Sequence, residues 1–334
     1  MKRILALFCT LLCLCLSLAA CGGEGTPNTP GTTTGNTTAT VPIPAQTTGK
    51  STTPADAPDS TTPPATSAIP KEPEATEYFT VFDQQTGYGE TDTFITFTGT
   101  GAEIRGTGAA VQGNVLSVTA PGTYVFSGSW EGQIVVELAK TEKAHLVFCG
   151  VTVTCKDGPA VWVRSADKVA LTLADGTVNT LTDGTSYAGA DAPKAPDACL
   201  FSQDDLSLNG SGSLLVQANF NNGIRSKNDL RIHSATVSVT APKNGIRADD
   251  SLVVEGATLY ITAGKDALKV TNTTESNKGY FILQSGSLTL TAGDDGIQAV
   301  TTLRLLAGRV TYDCTGKKKN CPGEITVAPG VQEQ

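Results

Sequence analysis

Histidine is nearly absent: His145 and His233 are the only two in 334 residues, and they lie far apart in the chain. No His/Cys grouping has zinc-site spacing, and neither a Gly-x-Ser-x-Gly nucleophile elbow nor a phosphate-cradling glycine loop occurs. Both histidines therefore read as structural or exposed. Basic charge is also short, with 24 Lys and Arg against 32 Asp and Glu. Such a balance makes phosphate contacts repulsive and argues against nucleic acid as a partner. Long apolar runs are missing as well, apart from Ile4 to Leu16, which is too short and too near the terminus for a transmembrane helix.

That run, preceded by Lys2 and Arg3 and followed by small residues, has the layout of an export signal. Leu18-Ala19-Ala20-Cys21 resembles a bacterial lipobox, which implies cleavage before Cys21 and a diacylglycerol on its sulfur. The expected location is the extracellular face of the cell membrane, lipid-anchored. Without residues 1–20 the chain carries 22 bases and 32 acids, a balance of −10. Residues 22–75 hold 10 of the 17 prolines and 15 threonines with few large apolar side chains, so they cannot bury enough surface to fold. As a polyproline-like tether, residues 21–75 would reach up to about 170 Å at roughly 3.1 Å per residue. The folded domain is then 76–334. Five cysteines remain there, Cys149, Cys155, Cys199, Cys314 and Cys321, an odd number that gives no complete disulfide framework. A Cys314–Cys321 bridge would close the basic loop CTGKKKNC; buried free thiols are the other arrangement.

The domain repeats itself. Ile224, Ile246, Leu268 and Ile297 recur at spacings of 22, 22 and 29, the last interval holding a seven-residue insertion around TNTTESNKG. Four more columns keep register: Leu230, Leu252, Phe281, Leu303; Ile232, Val254, Leu283, Leu305; Val237, Leu259, Leu288, Val310; Val239, Ile261, Leu290, Tyr312. All 20 positions are apolar, where 39% hydrophobic content would place about eight. Apolar and polar residues alternate within each copy, as in Thr236-Val237-Ser238-Val239-Thr240, the period of a strand with one buried face. Asn244-Gly245 on its own would suit a hairpin. A fixed translation instead points to stacked coils, each column lying on itself about 4.8 Å along an axis. The expected fold is all-β, a right-handed parallel β-helix of about 22 residues per coil. Upstream, Leu200, Leu206 and Leu208, then Val163, Val169 and Leu171, are placed in the same columns, with residues 175–197 as a protruding insertion between them.

The runs GPAVWVRSADKVALTLADGTVNTLTDG, LFSQDDLSLNGSGSLLV, NNGIRSKNDLRI, NGIRADDSLVV and GDDGIQAVTTLRLLAGRV resemble the bacterial carbohydrate-binding domain family built as a polysaccharide-lyase-like β-helix. The resemblance covers roughly residues 92–314. It implies a surface protein that binds plant cell-wall polysaccharide, cellulose or pectin-like acidic glycans, with bound calcium. Two coils depart from that family's Asp-Asp-Gly-Ile, with Lys243 and Lys265 in place of an acid, which implies fewer ions. Ala267 and Cys199 interrupt the glycine column of Gly223 and Gly245, so positive φ is not required on every coil.

Three groups of residues are candidates for function. Asp266, Asp294 and Asp295, in the column of Asn222 and Asn244, offer hard oxygens to Ca²⁺, which takes six to eight; Asn and Asp also serve simply as turn caps. Asp204, Asp205, Asp249 and Asp250, with Asp229 close by, form a second acidic group that reads either as metal ligands or as a solvated turn. The third group is the outward row Arg164, Phe201, Arg225, Arg247, Lys269 and Gln298, with Trp162 two residues before Arg164. Unit charges about 4.8 Å apart repel by about 0.9 kcal/mol even in water-like dielectric. Anions must therefore lie near that row, either Asp167 and Asp249 or the carboxylates of a bound polysaccharide, with Trp162 and Phe201 as stacking faces. The expected function is non-catalytic binding of a cellulose- or polygalacturonate-like chain by a calcium-stiffened monomer. A calcium-dependent lyase using a base such as Lys227, Lys243, Lys265 or Lys269, and a structural adhesin, are the alternatives.

Overall fold

The computed structural model describes residues 76–192 and 195–334. The signal segment, the tether and Cys21 lie outside the described residues. Apart from a 3-10 turn at Phe82–Gln84, regular structure here is β, and the coil-to-coil pairings are parallel. Each lap contributes a strand to each of three walls, illustrated by Asn222–Ser226, Asp229–His233 and Thr236–Ala241. Wall one is a ladder of ten strands; walls two and three belong to one branched sheet, joined where the long strands Gly122–Glu131 and Lys143–Thr154 run across their common corner. The protein is a parallel β-helix.

The columns read from the sequence are the ladder partners. Ile224 pairs with Ile246, Ile246 with Leu268 and Leu268 with Ile297 on wall one. Leu230, Leu252, Phe281 and Leu303 do the same on wall two, and Val237, Leu259, Leu288 and Val310 on wall three. All of these side chains are buried in one continuous core running from Ile95 to Tyr312. At about 1.5–3 kcal/mol per large apolar side chain, five such positions per lap drive the coil closed against its chain entropy. The insertion at 271–279 is extruded beyond the strand end, because Ile297 and Phe281 return to register after it. Gly223 and Gly245 have ordinary φ. They are glycine because a Cβ would come within 2.2 Å of Val239 Cγ1 and Ile261 Cγ2 across the coil.

The structure departs from the sequence columns in two places. Leu200 pairs with Val161, and Val163 lies opposite Ser202, while Val169 and Leu171 hold their expected places. The protruding segment also starts later than residue 175, because Val178–Thr182 pairs in register with Ser213–Gln217 and buries Leu181 in wall three. The extrusion begins at Asp183. Antiparallel strands, Ala102–Arg105 on Thr93–Gly99 and Ala109–Gln112 on Val115–Val118, close the N-terminal end of the helix.

A strap that the repeat pattern does not reveal, residues 78–85, lies across the outside of wall two. Phe79 is buried against Val253 and Ile282, outward-facing apolar residues on neighbouring coils. Asp83 is buried, with its carboxylate bonded to Lys168 Nζ at 2.9 Å and to the Ser207 hydroxyl. Arg231 donates to Tyr78 O, and Asn209 Nδ2 donates to the carbonyls of Asp83 and Gln85. His145, 1% exposed, completes the network. Its Nδ1 accepts from Gln85 Nε2 at 3.2 Å and its Nε2 lies 2.7 Å from Thr172 Oγ1, a pairing that suits the neutral Nε2–H ring.

Burial lowers the His145 pKa to about 4. The unfolded chain takes up this proton below about pH 6.5 whereas the folded chain does not until about 4, so stability is complete above the first value and declines toward the second. We expect urea titrations to show a loss of about 3 kcal/mol from this group between pH 6.5 and 4. His145→Gln should flatten the slope relative to the natural protein.

Candidate functional site

The ladder of wall one determines which outward side chains share a row. Register places Val135, Trp162, Phe201, Arg225, Arg247, Lys269, Gln298 and Asn320 in line. Arg164 is not in that row but two residues farther along the Trp162 strand, where it pairs with Glu137 at 3.5 Å. Phe201 is 1% exposed and Arg225 Cζ sits 6.0 Å above its ring, so it offers no stacking face; the neighbouring coil covers it.

The basic row is neutralised from within. Arg225, 7% exposed, bonds Asp197 Oδ2 at 2.5 Å and both oxygens of Asp249 at 3.0 and 3.1 Å. Asp249 also takes Arg247 Nε at 3.2 Å, Lys227 Nζ at 2.8 Å and the Thr271 hydroxyl at 3.0 Å. Burial would raise the Asp249 pKa, but Lys227, Arg225 and Arg247 together hold it below its ordinary value. Lys269 Nζ lies 2.5 Å from Asp266. Protein carboxylates serve this row. Asp249 plays that part, whereas Asp167 pairs with Lys143 instead. Arg225, Arg247 and Lys269 are thus poor candidates for holding an acidic glycan.

The second acidic group is engaged in ion pairs. Asp204 accepts Lys140 Nζ at 2.5 and 2.6 Å and the Ala166 N–H; Asp205 lies 3.7 Å from Lys168; Asp250 pairs with Lys278 at 3.0 Å. Asp229 binds Arg231. Asp266, Asp294 and Asp295 do converge, each offering a carboxylate oxygen within 4.8 Å of the others. This oxygen-only set suits a hard cation. It supplies three carboxylates, however, and several oxygens are engaged: Asp266 by the Asp295 N–H and Lys269, Asp295 by Lys317 N–H and Asn320. The neighbouring Asn222 and Asn244 act as turn caps, with Asn244 Nδ2 donating to Asn222 Oδ1 at 2.7 Å and Asn222 Nδ2 to Asp197 O.

Trp162, in the same row, stands open. It is half-buried and lines two clefts, of about 250 and 440 Å³, that it shares with Arg164. The smaller is bounded by Gln133, Asp157, Tyr187 and Pro196, the larger by Lys140 and Gln203. Arg164 Cζ lies 4.2 Å from the indole centroid and braces the ring. Trp162 Nε1 is a buried donor without a protein partner, and Arg225 Nε, Asp197 Oδ1 and Asn221 Oδ1 are likewise unpaired on the next coils. The wall carrying Tyr187 and Pro196 is the extruded segment. It is held by Tyr187, which stacks on Phe220 at 4.3 Å and donates to Asp183 Oδ2 at 2.5 Å. Burial raises the pKa of both Tyr187 and Asp183. Gln133 and Lys140, Asp157, and Tyr187 come from three separate stretches and carry no motif, so only the winding assembles them. All five cysteines of the domain are free, Cys314 and Cys321 included.

Residues 112–332 match a family model described as carbohydrate-binding domain-containing protein. A relative with the same description, from Acetivibrio thermocellus, is 45% identical over 223 residues, covering 66% of this chain and 78% of the relative. A solved structure described as the polysaccharide lyase-like protein from C. thermocellum, gadolinium derivative, aligns with a TM-score of 0.71 at 36% identity, over 73% of this chain and 100% of that one.

Since Arg225 is locked between two carboxylates, Arg225→Ala should lower unfolding free energy by about 3 kcal/mol. Exposed Arg164→Ala should change it by less than about 1 kcal/mol. Denaturant melts of the two variants separate the structural from the available arginine.

Proposed function

This chain belongs to the carbohydrate-binding domain family, and from that premise we propose that it grips a polysaccharide in the groove around Trp162 without cleaving it. The observation that carries the reading is the groove itself: a part-exposed indole flanked by Gln133, Asp157, Arg164 and Lys140, the mixture of flat apolar face and directional polar groups that sugar rings require. Coils repeat about every 4.8 Å, close to the length of one sugar residue along an extended chain, so a polymer lying along the helix axis would meet one coil per residue. The internal pairing of the basic row favours an uncharged, cellulose-like chain over a polyuronate. Of the nominal bases for an elimination reaction, Lys227 and Lys269 are tied to Asp249 and Asp266. The lipobox ending in Cys21 and the Thr/Pro-rich stretch to residue 75 support a lipid-anchored, tethered placement at the cell surface.

Calcium belongs to the same proposal. Asp266, Asp294 and Asp295 are the residues that would hold it, backbone carbonyls and water completing the shell. The ion would brace successive coils. Lys269, bonded to Asp266, competes for the same oxygens, so calcium must displace an ammonium. The solved relative is described as a gadolinium derivative, and gadolinium is itself a hard, oxygen-seeking cation.

Two measurements test these readings. Trp162→Ala should weaken retention on insoluble cellulose by roughly tenfold or more with an unchanged melting temperature; undiminished retention would remove the groove from consideration. Adding EDTA should lower the melting temperature of the natural protein but not of Asp266→Asn/Asp295→Asn, and Lys269→Ala should enlarge the calcium-dependent shift. A melt indifferent to chelator defeats the calcium assignment.

A further inference from the structure

A second groove lies at a different corner of the coil, between walls two and three, immediately after the strap. It measures about 480 Å³, within the range of small-ligand sites. Its outer wall is Thr86 and Tyr88; its floor and far wall are corner turns of successive coils, presenting Cys149, Asp175, Thr177 and Ser211.

Tyr88 is the unusual element. It sits between Gly87 and Gly89 in the stretch QTGYGE and is 48% exposed, leaving much of an aromatic ring in water. Yet it is held in place: Phe94 meets its ring edge-on at 6.2 Å, Arg105 covers Phe94 at 4.3 Å, and Cys149 Sγ donates to its hydroxyl at 3.7 Å. The strap that carries it is pinned by Asn209 and Thr172 to Gln85 O, three residues earlier. A braced aromatic facing a polar wall is a stacking platform whose conformational entropy has already been spent.

The opposite wall selects the ligand. Ser211 Oγ donates to Asp175 Oδ1 at 2.6 Å, which orients the carboxylate and leaves its second oxygen as an acceptor for a ligand hydroxyl. Thr86 adds a hydroxyl, whereas the Thr177 hydroxyl is already donated to Ala174 O at 2.7 Å and accepts from Asn179 Nδ2 at 3.1 Å; among the described residues no Lys or Arg lines the groove. A carboxylated sugar would meet Asp175 with no compensating cation, whereas a neutral one meets acceptors and a flat ring.

We propose that the Tyr88 groove is a second carbohydrate subsite, specific for uncharged sugar residues and separate from the Trp162 groove. It rests on the carbohydrate-binding reading of the domain but not on Trp162. With sites at two corners of one rigid solenoid, a single molecule engages two segments of a glycan surface, and avidity on polymer exceeds affinity for short oligosaccharides.

The two grooves carry different reporters, so their failures can be told apart. Trp162 is part-exposed and Trp130 is buried, so tryptophan fluorescence reads the first groove; alkylation of Cys149, followed site by site by mass spectrometry with Cys314 as reference, reads the second. On the full chain, saturating cellohexaose should slow Cys149 alkylation several-fold relative to Cys314. Hexagalacturonate should not. Tyr88→Ala should abolish the protection while leaving the fluorescence titration unchanged, and Tyr88→Phe should retain it. If fluorescence saturates and Cys149 reacts at its unliganded rate, the second subsite is refuted and the Trp162 reading stands. Protection of Cys149 without a fluorescence change supports the subsite and sinks the Trp162 reading. Equal protection by both sugars overturns the specificity for uncharged residues.

Discussion

Every coil of this molecule must accept, at about 4.8 Å, a copy of what it presents. Parallel stacking lays like on like, and the rest of the structure follows from how each kind of residue tolerates its own neighbourhood. Apolar columns gain from it. The Ile224, Leu230 and Val237 columns bury themselves along the full axis and need no other partner. Polar columns tolerate it when donor and acceptor alternate, as in the side-chain bond from Asn244 to Asn222. Charged columns do not tolerate it, and there the fold supplies a counter-ion. Asp249 serves Arg225, Arg247 and Lys227 at once, so the repulsion between coils becomes a half-buried ion network.

The same constraint locates the open groove. Along the outward row of wall one, Arg225 and Arg247 are consumed by Asp197 and Asp249, and Phe201 is covered by Arg225. Where the row reaches Trp162, a large side chain faces a cleft. The chain leaves the coil at Asp183, and the stacking of Tyr187 on Phe220 turns that excursion into a wall beside the indole. A repeat thus supplies rigidity, and a departure from it supplies concavity.

Wall two illustrates a different use of its outer face. Outward Val253 and Ile282 would leave an apolar patch in water on a solenoid without a strap. Phe79 covers it, and the buried Asp83–Lys168 pair with Ser207 locks the segment to several coils. The stretch that emerges beyond the lock carries Tyr88 to the rim of the 480 Å³ groove, so the clamp and the second groove share one piece of chain.

The sequence by itself determined the repeat, its 22-residue lap, the buried columns and the position of the 271–279 bulge, because these depend on local alternation and on translation, both of which are written along the chain. It also dictated that the basic row needs counter-ions, since Coulomb repulsion between neighbouring coils depends only on their charge and spacing. Its alignment slipped by two at Val163, where apolar residues at 161 and 163 fit the same alternating pattern and only hydrogen-bond register distinguishes them. The start of the extrusion is not legible because the Thr-rich run 175–182 has turn chemistry on both sides of a half-buried strand. The strap, the partners of each acid and the composition of both grooves were decided by tertiary structure alone. Asp83 meets Lys168 and Ser207, and Tyr187 is brought to the cleft of Trp162, across separations that carry no periodicity. Which oxygen neutralises which ammonium depends on three-dimensional proximity, and winding the chain is what creates it.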